Sequence, residues 1–192
     1  MKIAPTQIPD VKIISPRYFH DHRGYFVETH NRNTFLEHGI DVEFVQDNNS
    51  YSAKKGTLRG LHFQIQPFAQ WKLITVLTGS IFDVAVDIRT GSPSHGKFAK
   101  TVLDSENKNQ ILVPAGFAHG FVALEDDTLV SYKVSASYSP NHEKGIHWAD
   151  PDFAIDWPDT GGEKILSDKD IQLPVFSDLP EYFEFSGGGA VG

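Results

Sequence analysis

The feature that most constrains this chain is a series of short, alternating strand-like segments separated by turn-forming residues, with almost no helical periodicity. Residues 81–89 show it most clearly, because alternation places Phe82 and Val84 on one face and Asp83 and Asp87 on the other. Many short strands of this kind, joined by turns rich in Gly, Asn, Asp and Ser, are typical of β-sandwiches and barrels. The pattern therefore predicts an all-β protein.

One helix and one hairpin complete this prediction. Residues 33–38 are compatible with a short helix that Asn31 or Asn33 caps, and residues 117–124 and 128–135 flank an acidic turn in the manner of a hairpin. Tyr132 falls on the apolar face of the second hairpin strand, where a phenol needs a polar partner. Further strand signals lie at residues 11–19, 25–30, 43–50, 72–77, 98–103 and 110–113.

The chain length predicts one domain. We expect residues 1–185 to form it, because 192 residues with 40% hydrophobic content suffice for a single core. Beyond Asp150 the chain is rich in Pro, Asp and Gly, and we expect it to wrap around the barrel. Residues 186–192 are mostly glycine, which predicts a flexible tail.

Charge and cysteine content exclude several classes of function. The 17 basic and 25 acidic residues give a net charge of −8, which argues against non-specific nucleic-acid binding but leaves room for an anionic ligand held by a few local cations. The absence of cysteine excludes disulfides, thiolate catalysis and zinc-thiolate sites. No apolar run approaches membrane-spanning length, and residues 1–10 do not resemble a signal peptide, so we expect a soluble, cytoplasmic protein without a membrane partner.

The stretch Arg59–Gln64 concentrates a cation, a glycine, an imidazole and an amide. Strict alternation would send Arg59 and His62 to opposite faces of a strand, so a shared site requires a bulge or bend, which Gly60 would allow. Taken alone, the stretch is better explained as an edge strand with an exposed arginine and a packed histidine.

A second stretch, Pro114–His119, delivers a histidine from a tight turn onto a strand. Its Pro-x-Gly-x-x-His pattern resembles the second motif of cupins, in which this histidine binds a metal beside a His-x-His pair and a glutamate. Here the earlier stretch offers only His62, and no glutamate follows it. Because a divalent metal needs at least three good ligands, we expect no metal site.

The order of several longer motifs makes the resemblance more specific. They are Gln46-Asp-Asn48, Arg59–Gln64, Gln70-Trp-Lys-Leu73, Phe82–Arg89, Pro114–Phe121, Tyr132, Tyr138-Ser-Pro140, Trp157-Pro158 and Leu166–Asp170. Together, over residues 8–175, they resemble the dTDP-4-dehydrorhamnose 3,5-epimerases. The resemblance implies a double-stranded β-helix, or cupin-like jelly-roll barrel, with a few short helices, no cofactor and no metal. It also implies a homodimer in which N-terminal strands join the partner's sheet.

The same resemblance implies catalytic roles for four residues. His62 matches the base that removes protons α to the sugar ketone, and Asp170 matches the carboxylate that orients it. Tyr132 matches the acid that protonates the opposite face, and Lys72 matches the cation that stabilises the enolate. For Asp170 the local sequence suggests something simpler, because Ser167–Asp170 also has the form of a capping box at the start of a short helix.

Substrate-binding roles follow in the same way. The residues that match contacts to the diphosphate and sugar are Arg23, Arg59 and His119. The residues that match contacts to thymine and ribose are Glu28, Gln46, Asp47 and Asn48. Tyr138 would stack on the nucleotide, and Glu143 and Lys169 would make further contacts with the substrate.

Three alternatives remain open from sequence. A relative could epimerise only one carbon, or act on another nucleotide sugar, since one base and one acid serve both carbons. A metal-dependent cupin enzyme is disfavoured by the missing ligands beside His62. A non-catalytic sugar-binding jelly roll would not require a base, an acid and an enolate cation together.

Overall fold

A computed structural model describes residues 1–187 of the chain. Within these residues the regular secondary structure is mostly β-strand, as predicted, with two short helices and one 3-10 turn. The strands are β1 Lys2–Pro5, β2 Lys12–Ser15, β3 Tyr18–Asp21, β4 Gly24–Val27, β5 Gln46–Ser52, β6 Leu58–Gln64, β7 Lys72–Thr78, β8 Ser80–Asp87, β9 Arg89–Thr90, β10 Phe98–Asp104, β11 Gln110–Val113, β12 Phe117–Ala123, β13 Thr128–Val134, β14 Glu143–Gly145 and β15 Phe183–Glu184; the helices are α1 Arg32–Glu37 and α2 Asp168–Ile171, and the 3-10 turn is Phe176–Asp178.

Two antiparallel sheets carry the fold. One has six strands in the order β1-β2-β11-β7-β13-β5, and the other has five in the order β10-β8-β12-β6-β14. The predicted hairpin of residues 117–124 and 128–135 is therefore wrong: β12 and β13 belong to different sheets, and the acidic turn between them carries the chain from one sheet to the other. Their inner faces pack on each other through a buried apolar core contributed by both sheets. Burying one such aliphatic or aromatic side chain contributes roughly 1.5–3 kcal/mol. The inward-facing core residues include Ile74, Val76, Ile81, Ala85, Leu103, Ile111, Phe117, Phe121 and Val130.

Both faces of β8 are buried, which explains its alternating sequence. Phe82, Val84 and Val86 pack outward, beneath the C-terminal strap, by which we mean residues 146–185. Asp83 and Asp87 are therefore on the inward side of the strand, and both are fully buried. The strap covers the five-stranded sheet, as expected for the chain beyond Asp150, and ends where β15 pairs in parallel with β9.

The hairpin β3–β4 lies outside both main sheets. Its two strands pair only with each other among the described residues. Three of its aromatic side chains face solvent: Phe19 is 50% exposed, Tyr25 53% and Phe26 70%. A cluster of large exposed aromatic rings on a monomer commonly marks an interaction surface.

The helix prediction near residue 33 is confirmed, with Asn31 as the N-cap: its side chain accepts hydrogen bonds from the backbone N–H groups of Asn33 and Thr34. No helix within residues 1–187 is long and apolar enough to cross a membrane. The assignment of residues 1–185 to one domain stays a prediction. The predicted flexible tail begins at Ser186, and residues 188–192 lie outside the described part of the chain.

Candidate active site

A cavity of about 220 Å³ opens between the two sheets, and a second of about 260 Å³ adjoins it. The two cavities share His62, Lys72 and Tyr132, so they form one continuous cleft. The first is also lined by Ser50, Arg59, Ile74, His119, Phe121, Val130, Ser167, Lys169 and Asp170; the second by Gln46, Asn48, Phe63, Gln64, Gln70, Tyr138 and Glu143.

Strand β6 brings Arg59 and His62 to the same cavity because it bends at Gly60. This glycine has a φ of +125°, and a Cβ atom built on it would lie 2.6 Å from the Cα of Gly120. The pairing of β6 with β12 is irregular at this point. Only glycine fits both the backbone angle and the close approach of the two strands. The bend that the sequence required for a shared site is therefore present.

His62 and Asp170 form a hydrogen-bonded pair. The imidazole Nε2 lies 2.6 Å from a carboxylate oxygen of Asp170, which is only 4% exposed. Burial raises the pKa of Asp170, but the hydrogen bond and charge of His62 outweigh it, so the pKa is lowered and the group is a carboxylate at neutral pH. The carboxylate accepts a hydrogen bond from Nε2–H, which leaves Nδ1 as the basic nitrogen of a neutral ring.

The short helix α2 explains why the local sequence was ambiguous about Asp170. Ser167 is the N-cap, and its side chain accepts a hydrogen bond from the backbone N–H of Asp170 at 3.1 Å. In a full capping box the third residue of the helix would return a side-chain bond to the cap. Here the Asp170 side chain turns to His62 instead, so the cap positions the catalytic candidate.

Lys72 extends from β7 across the cavity. Its ammonium group donates a hydrogen bond of 3.1 Å to the backbone carbonyl oxygen of His62, on the opposite sheet. Burial lowers the pKa of Lys72 to about 8, against the opposing effect of the Glu143 and Asp83 carboxylates. The ammonium form therefore predominates at neutral pH, and a positive charge lies beside His62.

Tyr132 faces His62 from the other sheet. It lies on β13, between β5 and β7, on the inward side of the strand as the sequence predicted. Burial raises the pKa of Tyr132, with a smaller opposing effect from Arg59 and a further rise from Glu143. The phenol thus keeps its proton well above neutral pH, as a proton donor should.

The second imidazole of the cavity, His119, lies opposite His62 in the pairing of β12 with β6. Its Nε2 is 2.8 Å from a carboxylate oxygen of the fully buried Asp83. Arg59, at the rim, donates to the backbone carbonyl of Tyr51 at 2.8 Å. Within residues 1–187, no group of three or more His, Asp or Glu side chains is arranged to hold a metal ion.

A polar network borders the second cavity. Glu143 accepts hydrogen bonds from the hydroxyl of Tyr138, at 2.7 Å, and from the ammonium group of Lys169. Burial raises the pKa of Glu143, but these two donors lower it more, so it is ionised. The side chain of Gln46 donates to Asn48 at 2.8 Å and accepts from the backbone N–H of Tyr138 at 2.9 Å. The ring of Tyr138 is 54% exposed at the mouth of the cleft.

Three of the predicted binding residues are not in the cleft of this chain. Arg23 lies at the tip of the β3–β4 hairpin, with its side chain 79% exposed and paired with Asp21 at 2.6 Å. Glu28 follows the same hairpin and accepts a hydrogen bond from Asn31. Asp47 lies between Gln46 and Asn48 on β5, which both line the cleft, but its side chain is on the opposite face of the strand and pairs with Lys133 at 2.9 Å. Their binding roles stay predictions.

Two site residues were missed by sequence reasoning. The motif Arg59–Gln64 gives no signal for a separate role of Gln64, yet its amide donates to the backbone carbonyls of Phe68 and Ser137 and accepts from the backbone N–H of Ser139. This holds the loop that carries Tyr138. Asp83 was assigned to the face of β8 opposite the apolar residues, and alternation gives no signal that this face is the inner one when both are buried.

Comparison with known proteins agrees with this site. A family model described as dTDP-4-dehydrorhamnose 3,5-epimerase matches residues 5–178. An epimerase of that name from Sinorhizobium fredii is 50% identical over 185 residues, covering 96% of this chain and 94% of its own length.

Solved structures give the same result. A dTDP-6-deoxy-D-glucose-3,5-epimerase from Legionella pneumophila, in complex with dTDP-4-keto-L-rhamnose, superimposes with a TM-score of 0.92 at 43% identity, covering 97% of this chain and 99% of the other. A dTDP-4-dehydrorhamnose 3,5-epimerase from Bacillus anthracis, with TDP and pyrophosphate bound, gives 0.87 at 48% identity, covering 91% and 98%. These neighbours confirm the predicted cupin-like jelly roll. The chain therefore belongs to the dTDP-4-dehydrorhamnose 3,5-epimerase family.

Proposed function

We propose that this protein epimerises dTDP-4-dehydro-6-deoxy-D-glucose at C3 and C5, giving dTDP-4-dehydro-L-rhamnose. The observation that carries the proposal is the placement of a carboxylate-bound histidine, His62, opposite a buried tyrosine, Tyr132, with the Lys72 ammonium group between the sheets that bear them. Family membership and the ligand of the Legionella relative support the choice of substrate.

The first step is removal of a proton. Hydrogens on C3 and C5 are α to the C4 ketone, so either leaves as a proton when the electron pair moves onto the C4 oxygen. Nδ1 of His62 takes the proton, and the Asp170 carboxylate stabilises the imidazolium that forms. Lys72 places its positive charge where the enolate oxygen develops its negative charge, in a cleft that partly excludes water.

The second step is protonation of the opposite face. The Tyr132 hydroxyl delivers its proton to the enolate carbon, the ketone re-forms, and the configuration at that carbon is inverted. The imidazolium then loses its proton to solvent, since the His62 side chain is 26% exposed, and the phenolate regains one. Repetition at the other α-carbon needs only a small change in how the sugar lies.

The rest of the cleft is suited to the nucleotide. Arg59 is a fork donor at the rim, appropriate for phosphate oxygens. The exposed ring of Tyr138, held by Glu143 and Gln46, offers a flat surface for the thymine base. The amides of Gln46 and Asn48 lie beside it.

The direct test is hydrogen exchange in heavy water, with no reductase present. The purified protein is incubated with dTDP-4-dehydro-6-deoxy-D-glucose, and the sugar is followed by NMR and mass spectrometry beside an enzyme-free control. Deuterium at both C3 and C5 above the control is expected. Deuterium at C3 alone would indicate a single-carbon epimerase, and binding without exchange would leave only a sugar-binding protein.

Replacing Tyr132 with phenylalanine should separate exchange from inversion. His62 can still remove the proton and return a deuteron to the same face, so deuterium incorporation should continue. Inversion should fall by about 100-fold, because the acid on the other face is missing. NMR coupling constants report configuration, and mass spectrometry reports exchange. Equal loss of both would contradict the assigned role.

The protein is also proposed to act as a homodimer in which each β3–β4 hairpin contributes to the site of the other copy. Among residues 1–187 the hairpin pairs with neither main sheet, and its aromatic rings Phe19, Tyr25 and Phe26 are exposed. Its tip residue Arg23 and the following Glu28 are absent from the lining of their own cleft. A second copy that covers the rings would bring both residues to a substrate.

Complementation of two defective variants tests this arrangement. Arg23→Ala should impair the partner's site, whereas His62→Asn impairs its own. In a co-expressed heterodimer, the Arg23→Ala copy keeps its base and receives an intact hairpin, so activity should reappear at low substrate concentration. If the hairpin serves its own chain, or the protein is a monomer by light scattering, the mixture will stay inactive.

A further inference from the structure

The buried pair of His119 and Asp83 is a part of the cleft that the proposed mechanism does not use. His119 is 8% exposed and lines the cavity, and Asp83 is 0% exposed, behind it on β8. One carboxylate oxygen of Asp83 accepts from Nε2 of His119 at 2.8 Å. The other oxygen is buried and has no hydrogen-bond partner among the described residues.

A buried carboxylate with one free oxygen is costly to keep. Removing such a group from water carries a large penalty unless it is fully paired, and an apolar residue would commonly be at least as stable there. Asp87 lies on the same face of the same strand and shows the contrast. Both of its carboxylate oxygens accept hydrogen bonds, from Arg89, Ser92 and Ser94. The incomplete pairing of Asp83 is therefore better explained by what it does to His119 than by stability.

We infer that Asp83 is a positioning residue, which holds the ring of His119 with the proton on Nε2 and so presents Nδ1 to the sugar end of the cleft. This inference rests on the proposed function. A carboxylate cannot donate, so its partner nitrogen must carry the hydrogen. Within residues 1–187, Nδ1 of His119 makes no hydrogen bond of its own, and the residue lies directly opposite His62 in the strand pairing.

The position of Asp83 suits a second effect on the same site. Its charge is one of two that oppose the effect of burial on Lys72, the other being Glu143. The carboxylate thus lies close enough to the reacting centre to affect its charge balance from behind the cavity wall. A substrate hydroxyl that donates to Nδ1 of His119 would fix the sugar between this wall and Tyr132.

The test combines kinetics with a direct observation of the imidazole. Asp83→Asn keeps the size of the side chain but also offers a donor, so the tautomer of His119 is no longer imposed. We expect kcat/KM to fall about 10- to 100-fold, as for loss of a hydrogen bond to a charged group. In a His119→Asn background the same change should have less than about a twofold effect, because the two residues act as a unit.

Nitrogen-15 NMR of His119 provides the readout that a purely structural role would not change. In the wild type, Nε2 should carry a proton, and Asp83→Asn should shift the population toward the other tautomer. Asp87→Asn is the matched control: it should lower the melting temperature but leave kcat/KM and the His119 spectrum unchanged.

The outcomes separate the two proposals. Absence of exchange by the wild type would overturn the proposed function. Full activity of Asp83→Asn, additive effects in the double variant, or a wild-type His119 with no proton on Nε2 would overturn this inference alone. The wild-type spectrum shows which nitrogen of His119 carries the proton even if the Asp83 variants do not fold.

Discussion

His62→Asn should lower the rate of deuterium incorporation at both C3 and C5 by about 10²- to 10⁴-fold, the usual range for loss of a general base. The imidazole faces the cleft across from Tyr132, and the Asp170 carboxylate on its Nε2 leaves Nδ1 to take the proton. Asparagine keeps a polar side chain but cannot take up a proton near neutral pH. Both carbons should lose exchange together, because one base serves both.

The variant should still bind the nucleotide sugar, since Arg59, Tyr138 and the amides that flank the cleft are untouched. Calorimetry with the nucleotide diphosphate would show this. His38→Asn is the matched control, because His38 is exposed at the end of α1 and its ring bonds only to the backbone there. Exchange by His62→Asn at the wild-type rate would remove the base from the mechanism.

The sequence predicts the scaffold well because the scaffold depends on local pattern. Alternation placed Tyr132 on the inward face of its strand, and Asn31 or Asn33 was expected to cap a short helix; in the structure Tyr132 packs against the core and Asn31 is the cap. Each of these properties is decided within a few residues of chain, through side-chain period and capping bonds. Most strands of the main sheets were therefore predictable from the residues alone, whereas the short edge strands β1 and β14 and the separation of β12 and β13 into different sheets were not.

The site depends on contacts that no local pattern contains. His62 and Asp170 are 108 residues apart, and their contact exists because the C-terminal strap carries α2 back to β6. From its own neighbours Asp170 is a capping residue, and Ser167 does cap that helix. The pair could be expected only through resemblance to a family.

Burial also decides what alternation cannot. β8 is covered on both faces, so its sequence does not show whether Asp83 or Phe82 points into the barrel. Similarly, the alternation rule placed Arg59 and His62 on opposite faces until the bend at Gly60 was known. For polar residues in a strand that is buried on both faces, only the structure shows which of the two faces points into the barrel.

Lys72 should impose an upper pH limit on the reaction near pH 8. The ammonium form stabilises the enolate, and burial lowers the pKa of Lys72 to about 8. As pH rises through this value the group loses its proton, so kcat/KM should fall by about tenfold for each pH unit above it. Tyr132 keeps its proton in this range because burial raises its pKa, and Asp170 and Glu143, whose pKa values are lowered, stay ionised throughout.

Two substitutions assign this limit to Lys72. Lys72→Met removes the charge at similar length, and it should reduce the exchange rate by about 100-fold or more at pH 7 and abolish the fall near pH 8. Lys72→Arg keeps a positive charge that does not titrate in this range, so the fall in kcat/KM near pH 8 should also disappear in this variant. Its larger, planar guanidinium group is expected to lower the rate at every pH. Enzyme-free controls at each pH subtract the base-catalysed exchange of the ketone. A fall near pH 8 that persists in Lys72→Arg would mean that another group titrates there, and the enolate would then need a different cation.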